Sequence, residues 1–303
     1  MNNAQILKLL AANREMIQRN MQSAKEDLEH LAEDCNKFTD ATVLIYLELN
    51  RALIDMSFNS KYVAAAERSL AAIEKYAAAE RIAFAWHYWL IGHCYASLGR
   101  HKLSTQYLDR AAEVINSEDK DYSWLMVGIL IARVMNNEMQ DELQESSLEY
   151  AAEALKLVER IKDPLRKAGC DTAMGNVLHN RGRYEEALTY FMKSLRVYEQ
   201  HYNLSDMAGA YSNVGTSYIG MGDLKKAEEY LLKSVELRNQ FGSPDQLSIS
   251  YHNLAIVYKQ LNDLLRCKEM LLRCCDILER NGSTVFLNAT RKMLADVEKE
   301  MTG

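Results

Sequence analysis

The chain has 303 residues, 48% of them hydrophobic and 26% charged, with a net charge of −6. That is the balance of a soluble globular protein. With only 2 prolines and 13 glycines a turn-rich all-β fold is excluded, while the abundance of Ala, Leu, Glu, Lys, Met and Gln favours helix. No basic cluster gives a nucleic-acid footprint, and no run approaches the ~18 apolar residues of a membrane span.

The N-terminus, Met1-Asn2-Asn3-Ala4, lacks the charged and apolar regions of a signal peptide. Residues 1–38 read as one amphipathic capping helix, or two short ones. Residues 39–282 then carry a repeated unit in six copies. The first starts at Leu53 and runs through Tyr62, Ala65 and Ala72. The second is GHCYASLGRHKLSTQYLDRAA from Gly92, and the third starts at Met135 and runs through Ser147, Ala151 and Ala154, with a degenerate turn. The last three align without gaps, 40 residues apart: GNVLHNRGRYEEALTYFMKSL from Gly175, GTSYIGMGDLKKAEEYLLKSV from Gly215 and AIVYKQLNDLLRCKEMLLRCC from Ala255.

In these three the same side-chain sizes recur. A small residue opens the unit (Gly175, Gly215, Ala255) and a large one follows three later (Leu178, Tyr218, Tyr258). A turn residue comes at seven (Gly182, Gly222, Asn262), a small one at twelve (Ala187, Ala227, Cys267) and a large one at sixteen (Phe191, Leu231, Leu271). Residues three or four apart share a helix face, and a Gly at the turn stops the first helix. Small residues let the two helices approach while large ones fill the gaps. The unit is therefore a helix–turn–helix that cannot bury its apolar face alone. Pro164 and Pro244, each after a capping residue (Asp163, Ser243), stand where a first helix starts. Residues 283–303 read as a final capping helix that closes the apolar end.

These residues resemble the tetratricopeptide repeat family, whose pattern has Gly or Ala then Tyr in the first helix, Gly at the turn, and Ala then Phe or Tyr in the second. Gly215, Tyr218, Gly222 and Ala227 match it, as do Gly175, Gly182, Ala187 and Phe191. The ordinary unit has about 34 residues. The longer unit here is similar to the repeats of kinesin light chains, bacterial peptide-pheromone receptors, and sensory regions attached to bacterial diguanylate cyclases and histidine kinases. The resemblance implies an all-α, right-handed superhelical solenoid of about six helical hairpins with terminal caps. It also implies a concave groove, lined by first helices, that receives a peptide or partner protein.

Candidate ligand residues are the polar and aromatic ones beside the small residue of each first helix. They are Asn50, Arg51, Trp89, His93, Arg133, Asn136, Asn176, Asn213, His252 and Asn253. Asn is a poor helix former, so its recurrence needs a reason. A carboxamide can clamp a peptide backbone through both donor and acceptor, and Arg51 and Arg133 suit a ligand carboxylate. The plainer reading is a solvated inner face, or Asn bonding between neighbouring repeats.

Catalysis finds no support: the phosphate-loop, dinucleotide, zinc-protease and nucleophile-elbow motifs are all missing. The six cysteines form no C-x-x-C pair or metal spacing and read as core residues of a reducing, cytoplasmic protein. No cofactor or metal is expected. The expected role is a non-catalytic scaffold or adaptor for a protein or peptide, with no nucleic acid and no membrane as partner. The alternative is a sensory or regulatory region of a bacterial signalling protein whose output domain lies outside this chain. Self-association into a homodimer through the terminal helices is left open.

Overall fold

A computed structural model describes residues 2–19, 21–35, 39–59, 61–115, 122–138, 140, 144–241, 244–281 and 284–302. Among these every regular element is an α-helix. In chain order they are α1 (Asn3–Arg19), α2 (Met21–Cys35), α3 (Ala41–Asn59), α4 (Tyr62–Lys75) and α5 (Arg81–Ser97). Then come α6 (His101–Val114), α7 (Tyr122–Asn137), α8 (Gln144–Val158), α9 (Pro164–Asn180) and α10 (Tyr184–Gln200). The chain finishes with α11 (Leu204–Gly220), α12 (Leu224–Phe241), α13 (Pro244–Gln260), α14 (Leu264–Asn281) and α15 (Thr284–Thr302).

The helices form two compact units, Met1–Lys162 and Asp163–Gly303. In the first, α1 pairs with α2, α3 with α4, α5 with α6 and α7 with α8. Each second helix also packs on the next first helix, and the first helices α1, α3, α5 and α7 lie side by side. In the second unit α9 pairs with α10, α11 with α12 and α13 with α14, and α15 packs on α14. There the first helices α9, α11 and α13 meet one another at only a few residues.

Local chemistry explains the hairpins. Gly99, Gly182, Gly222 and Asn262 all sit at positive φ (69°, 72°, 79° and 58°). This left-handed residue ends the first helix. The next residue's N–H then reaches back to the carbonyl five before it: Arg100 to Tyr95 (2.8 Å), Arg183 to Leu178 (3.0 Å), Asp223 to Tyr218 (3.0 Å) and Asp263 to Tyr258 (2.9 Å). Asp163 caps α9, its carboxylate accepting from the N–H groups of Leu165 and Arg166 at 3.0 and 3.2 Å, with Pro164 following. Ser243, expected to cap α13, lies outside the described residues.

The small residue of each first helix is a close-approach site. A Cβ on Gly175 would stand 2.5 Å from the Phe191 ring, and one on Gly215 would stand 2.7 Å from Leu231. On Gly92 it would stand 2.8 Å from Leu108. In the last repeat Ala255 and Leu271 are both fully buried.

Side-chain contacts fix the register and correct two of the expected starts. Tyr107 meets Tyr88 and Tyr95, at 6.2 and 5.6 Å between rings, and Tyr230 meets Tyr211 and Tyr218, at 6.1 and 5.7 Å. So the residues four before and three after the small one face one site on the second helix. In α3–α4 that pair is Glu48 and Asp55, both bound to Arg68. The small residue there is Ala52, fully buried, rather than Leu53. In α7–α8 the contact comes from Arg133, over the Tyr150 ring at 5.4 Å. Leu130, 1% exposed, therefore holds the opening position, and Met135, 45% exposed, does not. The large and small partners are exchanged in this hairpin: Leu130 stands where others have Gly or Ala, and the fully buried Ala151 where α6, α10, α12 and α14 have Leu or Phe. Because α7 runs on to Asn137 before α8 begins at Gln144, counting back from the second helix overshoots.

Candidate functional site

The corrected register sorts the candidate residues by the direction they face. Asn50, Asn213 and Asn253 each stand two before the small residue of their helix, a position facing the preceding first helix. Gly128 holds the same place in α7, and there the Trp89 indole nitrogen lies 3.2 Å from where a Cβ would be. Asn253 donates to the Ser212 hydroxyl of α11 at 3.4 Å.

Asn50 departs from the expectation. It is fully buried, because α1 packs on α3. Its amide donates to the Leu10 carbonyl at 2.8 Å and to the Asn13 carboxamide at 3.1 Å. Asn13 in turn donates to the Ala24 carbonyl at 2.8 Å and to Asp27 at 2.9 Å. The pair is a polar staple joining α1, α2 and α3, with no free edge for a ligand. Asn50→Ala leaves the buried Asn13 oxygen without its donor and takes from the Leu10 carbonyl the bond it makes beyond its own helix. The expected loss is about 1–3 kcal/mol, read by urea denaturation; an unchanged midpoint would show the staple to be inert.

Three more residues leave the expected row. Asn136, 1% exposed, bonds across to α6, at 3.0 Å each to the His101 ring and the Thr105 hydroxyl. Arg133 bridges the second helices, paired with Asp109 of α6 at 2.7 Å and lying over Tyr150 of α8. Arg51 pairs with Glu48 at 2.6 Å and lines an opening between α2 and α4. In sequence the two arginines look like carboxylate receptors of the inner row; in space they point toward the second helices.

Trp89 and His93 remain on the first-helix face, both half-buried, with ring centroids 6.1 Å apart. Trp89 meets Trp86 edge-on at 5.6 Å, and Trp86 lies 4.6 Å from Trp124. Arg14 of α1 covers the rings of Tyr46 and Trp86, at 4.6 and 5.7 Å. These aromatics knit α1, α3, α5 and α7 into a packed layer. His87 is buried within it, its Nε2 bonded to the Ile45 carbonyl at 3.0 Å. Burial also lowers the pKa of His93. In the second unit His252 meets Phe286 of α15 at 5.0 Å, and burial lowers its pKa as well.

An open stretch is found on α9 and α11. Asn176 and Asn213 are half-buried, and the structure gives their carboxamides no hydrogen bond among the described residues. One turn before Asn213, Gly209 faces open space, with nothing among the described residues within 4 Å of a would-be Cβ. A glycine inside a helix costs about 1 kcal/mol against alanine, and no packing requires this one. Composition hid Gly209, because only the structure separates a glycine that a neighbour demands from one that nothing touches. Among the described residues no group of three or more His, Cys, Asp or Glu could hold a metal, and no helix is long and apolar enough to cross a membrane.

Three sequence models described as tetratricopeptide repeat match the chain, over residues 88–117, 172–206 and 206–280. Among curated proteins none matches in sequence. Among solved structures, a Rap protein complexed with competence and sporulation factor superposes with a TM-score of 0.69 at 15% identity, covering 100% of this chain and 88% of that one. NprR in complex with its cognate peptide NprX gives 0.67 at 17%, over 98% and 84%. Aspartyl phosphate phosphatase F from Bacillus subtilis gives 0.58 at 16%, over 98% and 85%.

Proposed function

Since the chain belongs to the tetratricopeptide-repeat family, we propose that it is a non-catalytic scaffold holding an extended peptide or partner segment along the first helices of Asp163–Gly303. The observation that carries this is the pairing of Gly209 with Asn213. The glycine leaves one position of the α11 face without a side chain, and one turn later Asn213 presents an unspent carboxamide. A backbone can lie close against such a place, and a carboxamide offers it both a donor and an acceptor. Asn176 on α9 and Asn253 on α13 extend the same polar strip to either side. Rap and NprR, which share the fold, have solved structures in complex with competence and sporulation factor and with NprX. This supports the reading without fixing the peptide.

The test is selection of a binder from a fluorescent peptide library, then anisotropy titrations. Asn213→Ala with Asn253→Ala is expected to weaken binding at least tenfold, from two lost hydrogen bonds at about 1 kcal/mol each. Gly209→Ala is expected to raise stability by up to about 1 kcal/mol while also weakening binding, because its methyl occupies the space the peptide backbone needs. Wild-type affinity in the double asparagine variant would remove this reading.

A further inference from the structure

The opening beside Arg51 is a cavity of about 470 Å³ between the second helices α2 and α4, floored by α3. Its floor is apolar, from Leu28 and Ala32 of α2 and Ile54 of α3. Two arginines converge above that floor through one shared carboxylate. Glu48 accepts from Arg51 with one oxygen at 2.6 Å and from Arg68 with the other at 3.0 Å. Asp55 accepts from Arg68 Nε at 3.1 Å.

A guanidinium has five N–H donors in a fixed fork. Arg51 spends one nitrogen, Nη1, on Glu48, and Arg68 spends Nε and Nη1. Among the described residues no acceptor reaches Arg51 Nε or Nη2, or Arg68 Nη2. Glu48 and Asp55 are largely shielded, with side chains 19% and 21% exposed, whereas Arg51 and Arg68 are 35% and 39% exposed. The carboxylates thus hold two guanidinium groups that line the cavity beside Asp55, each with donors left over. Lys25 and Glu29 line the α2 wall.

We propose that this cavity is a second binding site, separate from the first-helix strip, for an acidic side chain on an otherwise apolar peptide segment. The carboxylate engages the free edges of Arg51 and Arg68, and flanking aliphatic side chains cover Leu28, Ala32 and Ile54. The volume falls within the ~300–1,000 Å³ range of built ligand sites. Fork geometry favours a two-oxygen acceptor over a neutral amide.

The test uses the full chain and two labelled, end-capped peptides, Ser-Ala-Leu-Glu-Leu-Ala-Ser and its counterpart with Gln for Glu. Wild-type protein is expected to bind the Glu peptide at least tenfold more tightly than the Gln peptide. Arg51→Gln with Arg68→Gln is expected to abolish that preference, and Asn213→Ala with Asn253→Ala to leave it intact. If the double Gln variant does not fold, as judged by circular dichroism, Arg51→Lys with Arg68→Lys is read instead, with the preference falling several-fold as charge stays and the fork is lost. Equal binding of the two peptides, no binding at millimolar concentration, or a preference that survives loss of both arginines overturns the proposal. So does a preference lost in the asparagine variant, which would place the peptide on the first helices.

Discussion

Gly175→Ala and Phe191→Leu are expected to cost less together than the sum of the two changes made separately. Phe191 is 1% exposed, and its ring occupies the space a Cβ on Gly175 would need, 2.5 Å away. Alanine alone at 175 overpacks this crossing, at about 1–3 kcal/mol, offset in part by its better helix propensity. Leucine alone at 191 loses ring contacts and leaves a gap of about 1–2 kcal/mol. The double variant recreates the Ala255 and Leu271 pair, which this chain already packs with both residues fully buried. The expected coupling is at least about 1 kcal/mol in favour of the pair. Phe191→Ala, by contrast, opens a cavity and costs about 3–5 kcal/mol. Repeat stacks unfold piecewise, so the readout is hydrogen-exchange protection within α9 and α10. Simple additivity would mean that the two side chains do not share the crossing.

Acid is expected to destabilise Met1–Lys162 through His87. The side chain is fully buried, and its Nδ1 has no partner among the described residues. Burial dominates its pKa and pushes it from 6.5 down to about 4; the Ile45 carbonyl and Glu48 oppose the shift, and Arg14 adds to it. The unfolded imidazole takes a proton below ~6.5 while the folded one refuses it until about 4. Stability from the neutral ring is therefore complete above pH ~6.5 and is lost as the pH falls through that window, by about 3 kcal/mol in all. His87→Gln keeps a donor for the Ile45 carbonyl and removes the titration. The measurement is the gap between wild type and His87→Gln in urea midpoint at successive pH values. Between pH ~7 and ~4.5 the gap should move by 2–3 kcal/mol in the variant's favour. A gap that is constant with pH would refute the assignment.

Legibility followed the kind of contact involved. The hairpins of the last three repeats were readable because each rests on contacts within some twenty residues. A left-handed Gly or Asn ends the helix, and a small residue accepts a large one sixteen later. The hairpin α7–α8 was misplaced because Leu130 and Ala151 exchange the roles of large and small, a swap that keeps the volume but erases the motif. The ligand residues were harder, since the direction a helical side chain faces turns by about 100° per residue. A shift of one residue in the opening position, from Leu53 to Ala52, therefore turns Arg51 from the first-helix row toward Glu48 and the second helices. Asn50 and Asn253 share a register position, yet one is sealed under α1 and the other bonds to Ser212.

By itself the sequence determined that this chain builds stacked helical hairpins, through periodic apolar faces and turn residues whose effects are local. The tertiary structure alone decided which polar side chains are spent inside, as with Asn50, Asn136 and His87, and which keep unused donors, as with Asn213, Arg51 and Arg68. Hydrogen-bond satisfaction depends on neighbours forty residues away, and nothing in a local pattern reports whether such a neighbour has arrived.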